Sequence, residues 1–254
     1  MKTLYITLLT LCGIFIPQLQ ALKAGDEFGV WADPKYEWAN TARNELYLSP
    51  SEKEIVRLTN LARMNGPLFA DTYIKKYYPT GSTDPYVQSL IDGLKKQRPL
   101  SPFTPSVALY HSAQSHAADM GLNGKTGCIG TNGLPFYDRI HRYFPGARTF
   151  AENNYYQAAE PVSIVLGMLV DRSDSTHGNR KNLLSDDIDV IGVSVQPHKL
   201  LCNTTVMDFA KRADNLPQPT SKNMRIGSNK DRCPESSKVP VRGLKKRKFI
   251  LFPW

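Results

Sequence analysis

The order of the hydrophobic patterns along the chain limits its fold more than any other feature. Apolar residues recur at helical spacing in the first half, as at Ile55, Leu58 and Leu61, whereas strand-type runs come later, at 147–156, 189–198 and 200–210. An apolar stretch at 160–170, typical of a buried helix, separates the first of these strands from the other two. Helices followed by strands predict an α+β domain with a small antiparallel sheet, whose last two strands form a hairpin.

Turn and capping residues set the expected helix boundaries. Ser49, Pro50 and Glu52 form a capping-box pattern, which predicts that a helix begins here, and Gly66 ends it. Shorter helical patterns follow at 68–78 and 85–97, and a short helix is expected at 136–144. A longer helix is expected at 106–123, where small residues on one face predict close packing.

The N-terminal residues are typical of an export signal. Lys2 precedes an apolar run at 4–16, and a polar stretch ends at Ala21, so we interpret residues 1–21 as a signal peptide. The run is shorter than the roughly 20 apolar residues that cross a bilayer, and no later stretch approaches that length. We therefore expect a protein that is secreted or resides in the cell envelope.

The cysteines do not form the framework of a disulfide-rich protein. Removal of the signal leaves Cys128, Cys202 and Cys233, so at least one thiol stays unpaired or pairs with another molecule. Cys202 and Cys233 could bridge the last strand to the tail, but the sequence does not fix the connectivity. The length suits a single domain that buries an ordinary hydrophobic core.

The positive charge of the chain belongs to its C-terminal tail. Residues 211–254 contain 12 Lys and Arg against 3 Asp and Glu, which accounts for the whole formal charge of +9. We predict a proline-containing basic tail at 212–254 and a polar, aromatic arm at 22–48. The tail could be a solvated extension or could attach the protein to an anionic surface, and nucleic acid is not an expected partner.

Four segments follow one another along the chain: EIVRLTNLARMNG, SVALYHSAQSHAADMG, FAENNYY and GNRKNLLSDDIDVIGVSV. Taken in this order, they resemble the bacterial CAP domain of the cysteine-rich secretory, antigen 5 and pathogenesis-related proteins. Their order and spacing carry the resemblance, which covers roughly residues 49–210, and we place the CAP domain at 49–211. The resemblance implies a three-layer α-β-α sandwich around a short antiparallel sheet.

The resemblance also implies a central cavity, which in many members is lined by two histidines and acidic residues and can hold a divalent metal. Glu152 matches the carboxylate of the family's Ala-Glu-Asn segment, but Cys128 and Asn179 stand at the two histidine positions. The altered cavity therefore comprises Cys128, Glu152, Asn179 and the nearby His177. We expect no cofactor and no divalent metal, with His177 and Glu152 as the only weak candidates for metal ligands.

The same residues leave a second hypothesis open. Cys128, Glu152 and His177 could form a shifted site, either for zinc or for a hydrolase that uses a cysteine nucleophile and a histidine base. Alternatively, Cys128 is a small buried residue, His177 is a polar loop residue and Glu152 is a structural clamp. In that case Arg180, or backbone donors of the Asn179 loop, would satisfy the Glu152 carboxylate.

The remaining histidines are interpreted as structural. His111 and His116 do not share a helix face, so we predict that both lie on the helix surface. His141 is placed with Arg139 and Arg142 on a solvated face of the short helix.

Our leading hypothesis is an exported, monomeric CAP-domain protein that binds an apolar or extended ligand without catalysis. The ligand would be a lipid, a sterol, a peptide or a cell-envelope partner. The alternatives are the hydrolase with Cys128, His177 and Glu152, and a surface-attachment protein that acts through its basic tail.

Overall fold

The structure, a computed structural model, describes residues 28–79, 83–147 and 149–212. The chain divides into two compact units, Met1–Asp33 and Pro34–Trp254. The described part of the first unit contains the 3-10 helix Val30–Ala32. All further elements belong to the second unit, and the predicted signal peptide and the tail beyond residue 212 lie outside the described residues.

The elements of the second unit follow the predicted order of helices and strands. The helices are the 3-10 helix Pro34–Ala39, α1 (Pro50–Met64), α2 (Gly66–Phe69), a π-helical turn (Ala70–Ile74), α3 (Lys75–Tyr77), α4 (Pro85–Lys96), α5 (Val107–Asn123), α6 (Phe136–Tyr143), α7 (Pro161–Val170) and α8 (Gly178–Leu183). The strands are β1 (Thr104–Pro105), β2 (Phe150–Tyr156), β3 (Val190–His198) and β4 (Cys202–Ala210). The segments β1 and α8 were not predicted. Strand β1 has only two residues and helix α8 only about one and a half turns, and such short segments show no hydrophobic periodicity.

The capping box at the start of α1 is confirmed, and its Glu52 side chain also bonds to the sheet. The Ser49 hydroxyl accepts from the Glu52 N–H at 3.3 Å, and one Glu52 carboxylate oxygen accepts from the Ser49 N–H at 2.8 Å. The other oxygen of Glu52 accepts from the Val195 N–H in β3 at 2.9 Å. One buried side chain therefore begins the helix and also fixes it to the sheet.

The sheet has the strand order β1-β3-β4-β2. The pairs β2–β4 and β3–β4 are antiparallel, and β3–β4 is the predicted hairpin, so the antiparallel core of the sheet is confirmed. The short strand β1 adds a parallel pair with β3, which makes the sheet mixed. Strand β2 forms one edge.

Helices cover both faces of the sheet, which confirms the three-layer α-β-α sandwich. Helices α5 and α6 lie on one face, and α1 and α7 on the other. The predicted close packing of α5 is also confirmed. A Cβ atom at Gly192 would lie 2.1 Å from the Leu109 carbonyl carbon, and one at Gly121 would lie 2.1 Å from the Pro197 carbonyl oxygen. Glycine is required at both positions because backbone atoms of a neighbouring segment occupy the space that a side chain would need.

Candidate functional site

Glu152, the residue that matches the family's Ala-Glu-Asn segment, lies in β2 on the face covered by α5 and α6. Its side chain is 1% exposed. One carboxylate oxygen accepts from the Arg139 guanidinium of α6, and the other accepts from the Asn154 amide at 2.9 Å. A buried carboxylate must be paired or hydrogen-bonded, and Arg139 and Asn154 are the partners of Glu152.

The prediction that Arg139 lies on a solvated face is therefore wrong, and so is the prediction that Arg180 satisfies Glu152. Arg139 is 4% exposed, because it shares the inward face of α6 with Phe136 and Ile140. Arg139 and Ile140 follow Phe136 by three and four residues, which is the spacing of neighbours on one helix face, so the sequence itself indicated that Arg139 faces inward. Arg180 instead donates to the Leu169 carbonyl at 2.5 Å and the Val170 carbonyl at 2.8 Å, at the end of α7.

His116 is the second residue that the sequence interpretation misplaced. It is buried, with 1% exposure, because it continues the inward stripe of α5 formed by Leu109 and Ala113. Its Nε2 lies 2.8 Å from the Gly127 carbonyl and 3.8 Å from a Glu152 oxygen. A carbonyl only accepts, so Nε2 carries the proton. Burial lowers the pKa of His116 and outweighs the opposing effect of Glu152, so the ring is neutral near pH 7. His111, in contrast, is exposed as predicted.

Asp208 completes a buried polar cluster around Glu152 and was not identified from the sequence. It is the cross-strand partner of Glu152 in β4 and is 0% exposed. Burial and the neighbouring Glu152 raise the pKa of Asp208 well above its usual range, against the opposing effects of Arg139 and Ser112. Asp208 therefore holds its proton more tightly than an exposed aspartate does, and it lies beside the ion pair of Glu152 and Arg139.

Asn179, at the second histidine position of the family, belongs to a separate group of hydrogen bonds. Its backbone N–H and its side-chain amide donate to the two oxygens of Asp171, at 2.8 and 2.9 Å. Its carbonyl accepts from the Asn153 amide at 3.0 Å. Burial raises the pKa of Asp171, and these hydrogen bonds oppose that shift. Asn179 thus joins the end of α7 to β2.

The other two predicted site residues, His177 and Cys128, make contacts of their own. His177 is the residue before α8, has a left-handed backbone with φ of 54°, and packs edge-on against the Tyr86 ring at 5.5 Å. Cys128 is 9% exposed and disulfide-bonded, whereas Cys202 is free and exposed. The suggested bridge from Cys202 to Cys233 is therefore wrong, and Cys233 itself lies outside the described residues.

The donor set around Glu152 does not fit the family's divalent metal. Among the described residues, no group of three or more His, Cys, Asp and Glu side chains is arranged to hold an ion. The Glu152 carboxylate is paired with a guanidinium, and the sulfur of Cys128 is in a disulfide, so neither offers the free ligand that zinc requires.

A cleft of about 400 Å³ lies beside the Asn179 group, and we call it the tyrosine cleft. Its lining includes Tyr77, Tyr78, Asn154, Tyr155, Tyr156 and Asn179. The Tyr155 ring packs directly against α7, because a Cβ atom at Gly167 would lie 2.2 Å from the Tyr155 hydroxyl. The cleft therefore combines aromatic surface with amide and hydroxyl groups.

A second cavity, of about 330 Å³, lies on the α5 and α6 side, and we call it the polar pocket. Its lining includes Ser115, His116, Asp119, Thr131, Arg139 and Tyr143. It shares no lining residue with the tyrosine cleft. Two of its residues, His116 and Arg139, also contact Glu152.

The three-layer fold, with Ala-Glu-Asn in an edge strand beside two helices, defines a CAP-type domain. The model of the cysteine-rich secretory protein family, CAP, matches residues 56–209, and the chain belongs to this family. Comparison with curated proteins gives no match. No described helix combines the length and the apolar character needed to cross a bilayer.

Three solved structures are similar to this chain. An outer surface protein from Borrelia burgdorferi has 22% identity and a TM-score of 0.39, over 45% of this chain and 80% of that one. An extracellular protein containing an SCP domain, from Bacillus anthracis, has 19% identity and a TM-score of 0.43, over 65% and 44%. Venom allergen-like protein 4 of Schistosoma mansoni has 11% identity and a TM-score of 0.41, over 69% and 99%.

Proposed function

We propose that this CAP-domain protein is exported and acts as a binding protein without catalysis, and that its ligand occupies the tyrosine cleft. The observation that carries the proposal is the cleft itself, whose lining includes Tyr77, Tyr78 and Tyr155 together with the polar side chains of Gln157 and Ser163. Pockets that combine aromatic rings with a few placed polar groups are typical binding sites for organic ligands.

The absence of free reactive groups at the family's site supports a role without catalysis. Cys128 is in a disulfide, Glu152 is paired with Arg139, and Asn179 is bonded to Asp171. A cysteine nucleophile requires a thiolate, which a disulfide sulfur cannot form. The hydrolase hypothesis with Cys128, His177 and Glu152 therefore lacks its nucleophile in this structure.

The charges at the cleft favour a ligand without net charge. The Arg172 guanidinium is paired with the Asp84 carboxylate at an N–O distance of 2.5 Å. Both oxygens of Asp171 accept hydrogen bonds from Asn179. A charged ligand group would have to compete with these internal partners. Of the ligands predicted from the sequence, an apolar lipid or sterol and an uncharged peptide segment fit the cleft. Attachment to an anionic surface through residues 212–254 is a separate prediction, which concerns residues mainly outside the described part.

Amide NMR spectra of the mature, isotope-labelled protein would test the proposal. The probes are palmitate, cholesterol in cyclodextrin and a pool of short random peptides. We expect at least one probe to shift amides in β2 around Asn154 and in α7 around Gly167. If every probe leaves these amides unchanged, or shifts only residues elsewhere, the proposal is wrong.

Two alanine substitutions give a matched comparison for the same experiment. Gly167→Ala must displace the Tyr155 ring, and we expect it to weaken binding of the active probe by about tenfold. Gly93→Ala, in α4, meets no atom within 4 Å and should leave binding unchanged. Equal binding by both variants would contradict a site in the tyrosine cleft.

A further inference from the structure

The disulfide at Cys128 has a partner that can be found by elimination. The chain has four cysteines, at positions 12, 128, 202 and 233. Cys202 is free, so the partner of Cys128 is Cys12 or Cys233. Cys12 lies in the predicted signal peptide and in the first compact unit, whereas Cys128 and Cys233 both belong to the second unit. These observations favour Cys233.

The chemistry of the compartment leads to the same partner. A disulfide persists in an oxidising compartment, which agrees with the export proposed above. Export removes residues 1–21 and with them Cys12, so Cys233 is the cysteine that remains for Cys128 beside the free Cys202. The assignment therefore rests on the export part of the proposed function and not on the tyrosine cleft.

A groove of about 500 Å³ lies where the chain leaves the described part of the fold, and we call it the exit groove. Arg212 is the last described residue, and its N–H donates to the Asp189 carboxylate at 2.7 Å. The tail at 213–254 therefore starts at the groove. The lining of the groove includes Tyr47, Val107, Phe144, Val190 and Arg212.

The attachment points of the tail, Arg212 and Cys128, share neighbouring residues. Cys128 and Val190 belong to one hydrophobic cluster, and Phe144 packs against it. Val190 and Phe144 also line the exit groove together with Arg212. A bond from Cys128 to Cys233 thus returns the tail to the region from which it departs. The 20 intervening residues can span up to roughly 70 Å when extended, so their length permits this return.

The exit groove has apolar side chains that the described residues leave uncovered. Val107 is 49% exposed, and Leu46, which precedes the lining residue Tyr47, is 97% exposed. Exposed apolar side chains grouped beside a groove mark an interaction surface. The tail begins with the sequence ADNLPQP at 213–219, which offers the apolar Leu216 and two prolines. Proline-containing segments favour an extended backbone, which packs well into grooves with an aromatic lining.

We infer that Cys128 pairs with Cys233 and that this bond holds residues 213–219 in the exit groove, with Leu216 against its apolar lining. The inference changes which part of the tail can reach a partner. Residues 234–254 contain six Lys and Arg against one Glu, and they leave the domain at Cys128. The anionic surface predicted as a partner of the tail therefore contacts this shorter basic arm, while the first half of the tail belongs to the domain.

Peptide mapping without reduction, on protein produced from the full chain under oxidising conditions, tests the disulfide. We expect one linked peptide that joins Cys128 to Cys233, with Cys202 as a free thiol. Linkage of Cys128 to Cys12 or to Cys202, or an unlinked Cys128, would overturn the inference. The intact mass separates this result from the proposed function. A chain that retains residues 1–21 but joins Cys128 to Cys233 would contradict export and support the inference.

Two leucine variants test the occupant of the exit groove by amide NMR. Leu216→Ala removes the side chain assigned to the groove, so we expect shifts at the amides of Tyr47, Val107 and Phe144. Leu244→Ala, the same substitution beyond the disulfide, is the matched control and should leave these amides unchanged. Equal effects of the two variants would overturn the placement of the tail. Shifts that depend instead on protein concentration would identify a second copy of the chain as the occupant, and would overturn it as well.

Two cysteine variants test whether the bond holds the segment in place. Cys233→Ser lies outside the core, and we expect it to shift the same groove amides as Leu216→Ala. It should also make Cys128 reactive toward a maleimide in the unfolded, unreduced protein, where the natural chain keeps Cys128 unlabelled. Cys202→Ser, at the free thiol, is the matched control and should change neither result. Unchanged groove amides in Cys233→Ser would overturn the role assigned to the bond.

Discussion

At the scale of single residues, the polar cluster around Glu152 is the least ordinary part of the molecule. It places the Glu152 carboxylate and the Asp208 carboxyl on adjacent strands with one guanidinium, from Arg139, between α6 and the sheet. Each of these groups is at most 4% exposed. In a medium of low polarizability such a cluster is stable only if its net charge is close to zero, which requires the proton on Asp208.

The first prediction concerns the buried ion pair. Arg139→Met keeps the apolar stem but leaves the Glu152 carboxylate buried without its counter-charge, so we expect a loss of about 3–5 kcal/mol of unfolding free energy. Urea unfolding measures this loss. Arg142→Met, on the exposed side of the same helix, serves as the control and should change stability by less than about 0.5 kcal/mol. Similar values for the two variants would show that the pair is not buried.

The second prediction concerns the pH dependence of stability. The folded state holds the proton of Asp208 more tightly than the unfolded chain, whose carboxyl has the ordinary pKa of 3.8. The contribution of Asp208 is therefore fully present below pH 3.8 and is lost as pH rises through the higher folded pKa. Asp208→Asn mimics the protonated form, so its stability relative to the natural protein should increase as pH rises above about 4.

Urea midpoints of both proteins from about pH 4 to pH 8 measure this difference. His116 contributes in the opposite direction, because its lowered pKa gives stability above pH 6.5 that is lost on acidification. Both proteins contain His116, so its contribution cancels in the comparison. Two parallel pH profiles would mean that Asp208 is ionised in the folded protein.

At the scale of elements, the contact between α5 and β3 depends on two glycines. Gly192 lies under the first turn of α5, and Gly121 lies near its end against Pro197. Because the neighbouring atoms are backbone atoms, a side chain at either position cannot be accommodated by a change of rotamer. The helix and the strand would have to separate, and that displacement would extend to the face of the sheet that carries Glu152.

The third prediction tests this contact. Gly192→Ala should cost more than about 2 kcal/mol, because its Cβ atom would overlap the backbone of Leu109 and Tyr110. Gly93→Ala, at an open position in α4, should instead stabilise the protein by about 0.5–1 kcal/mol through the better helix propensity of alanine. Calorimetric or urea unfolding compares the two. Opposite signs are expected, and equal effects would contradict the close approach.

The fourth prediction separates the two contributions of the capping box. Ser49→Ala removes one helix-capping bond and should cost about 1 kcal/mol. Glu52→Ala should cost at least about 1 kcal/mol more, because it also leaves the Val195 N–H of β3 without its acceptor inside the protein. Amide exchange at Val195 should accelerate only in the Glu52 variant. An unchanged exchange rate there would remove the proposed connection between α1 and the sheet.

At the scale of the whole molecule, the cysteines differ in chemical state. Cys202 is exposed and free at the start of β4, whereas Cys128 is disulfide-bonded and packed among Phe136, Ile140 and Val190. The bond at Cys128 restricts the unfolded chain and therefore adds to stability. The thiol of Cys202, in contrast, is free and exposed, so it is accessible to other molecules.

The fifth prediction follows from this difference. A maleimide should label the native protein at Cys202, and Cys202→Ser should remove the label at this position without loss of stability. Reduction of the protein should expose Cys128 to the reagent and lower the unfolding free energy by about 2–5 kcal/mol. Peptide mass mapping locates the label. Labelling of Cys128 before reduction would contradict its disulfide.

Sequence alone determined the features that depend on neighbouring residues. The start of α1 follows from Ser49 and Glu52, and the β3–β4 hairpin follows from alternating residues around a turn. The α+β class and the CAP family follow from the order of such segments. Each segment is defined by residues close together in the chain, and the order of the segments is a property of the sequence itself, so both are present before the chain folds.

Only the tertiary structure decided which side chains surround Glu152. Arg139 comes from α6, His116 from α5 and Asp208 from β4. These side chains come together because of the register of the sheet and the close packing of α5 on Gly192. The helical spacing of Arg139 and His116 placed both residues on the inward faces of their helices. They were nevertheless predicted to be exposed, because charged and polar side chains usually lie at the surface. A buried charge is stable only beside its partner, and the identity of that partner is set by the fold rather than by distance along the chain.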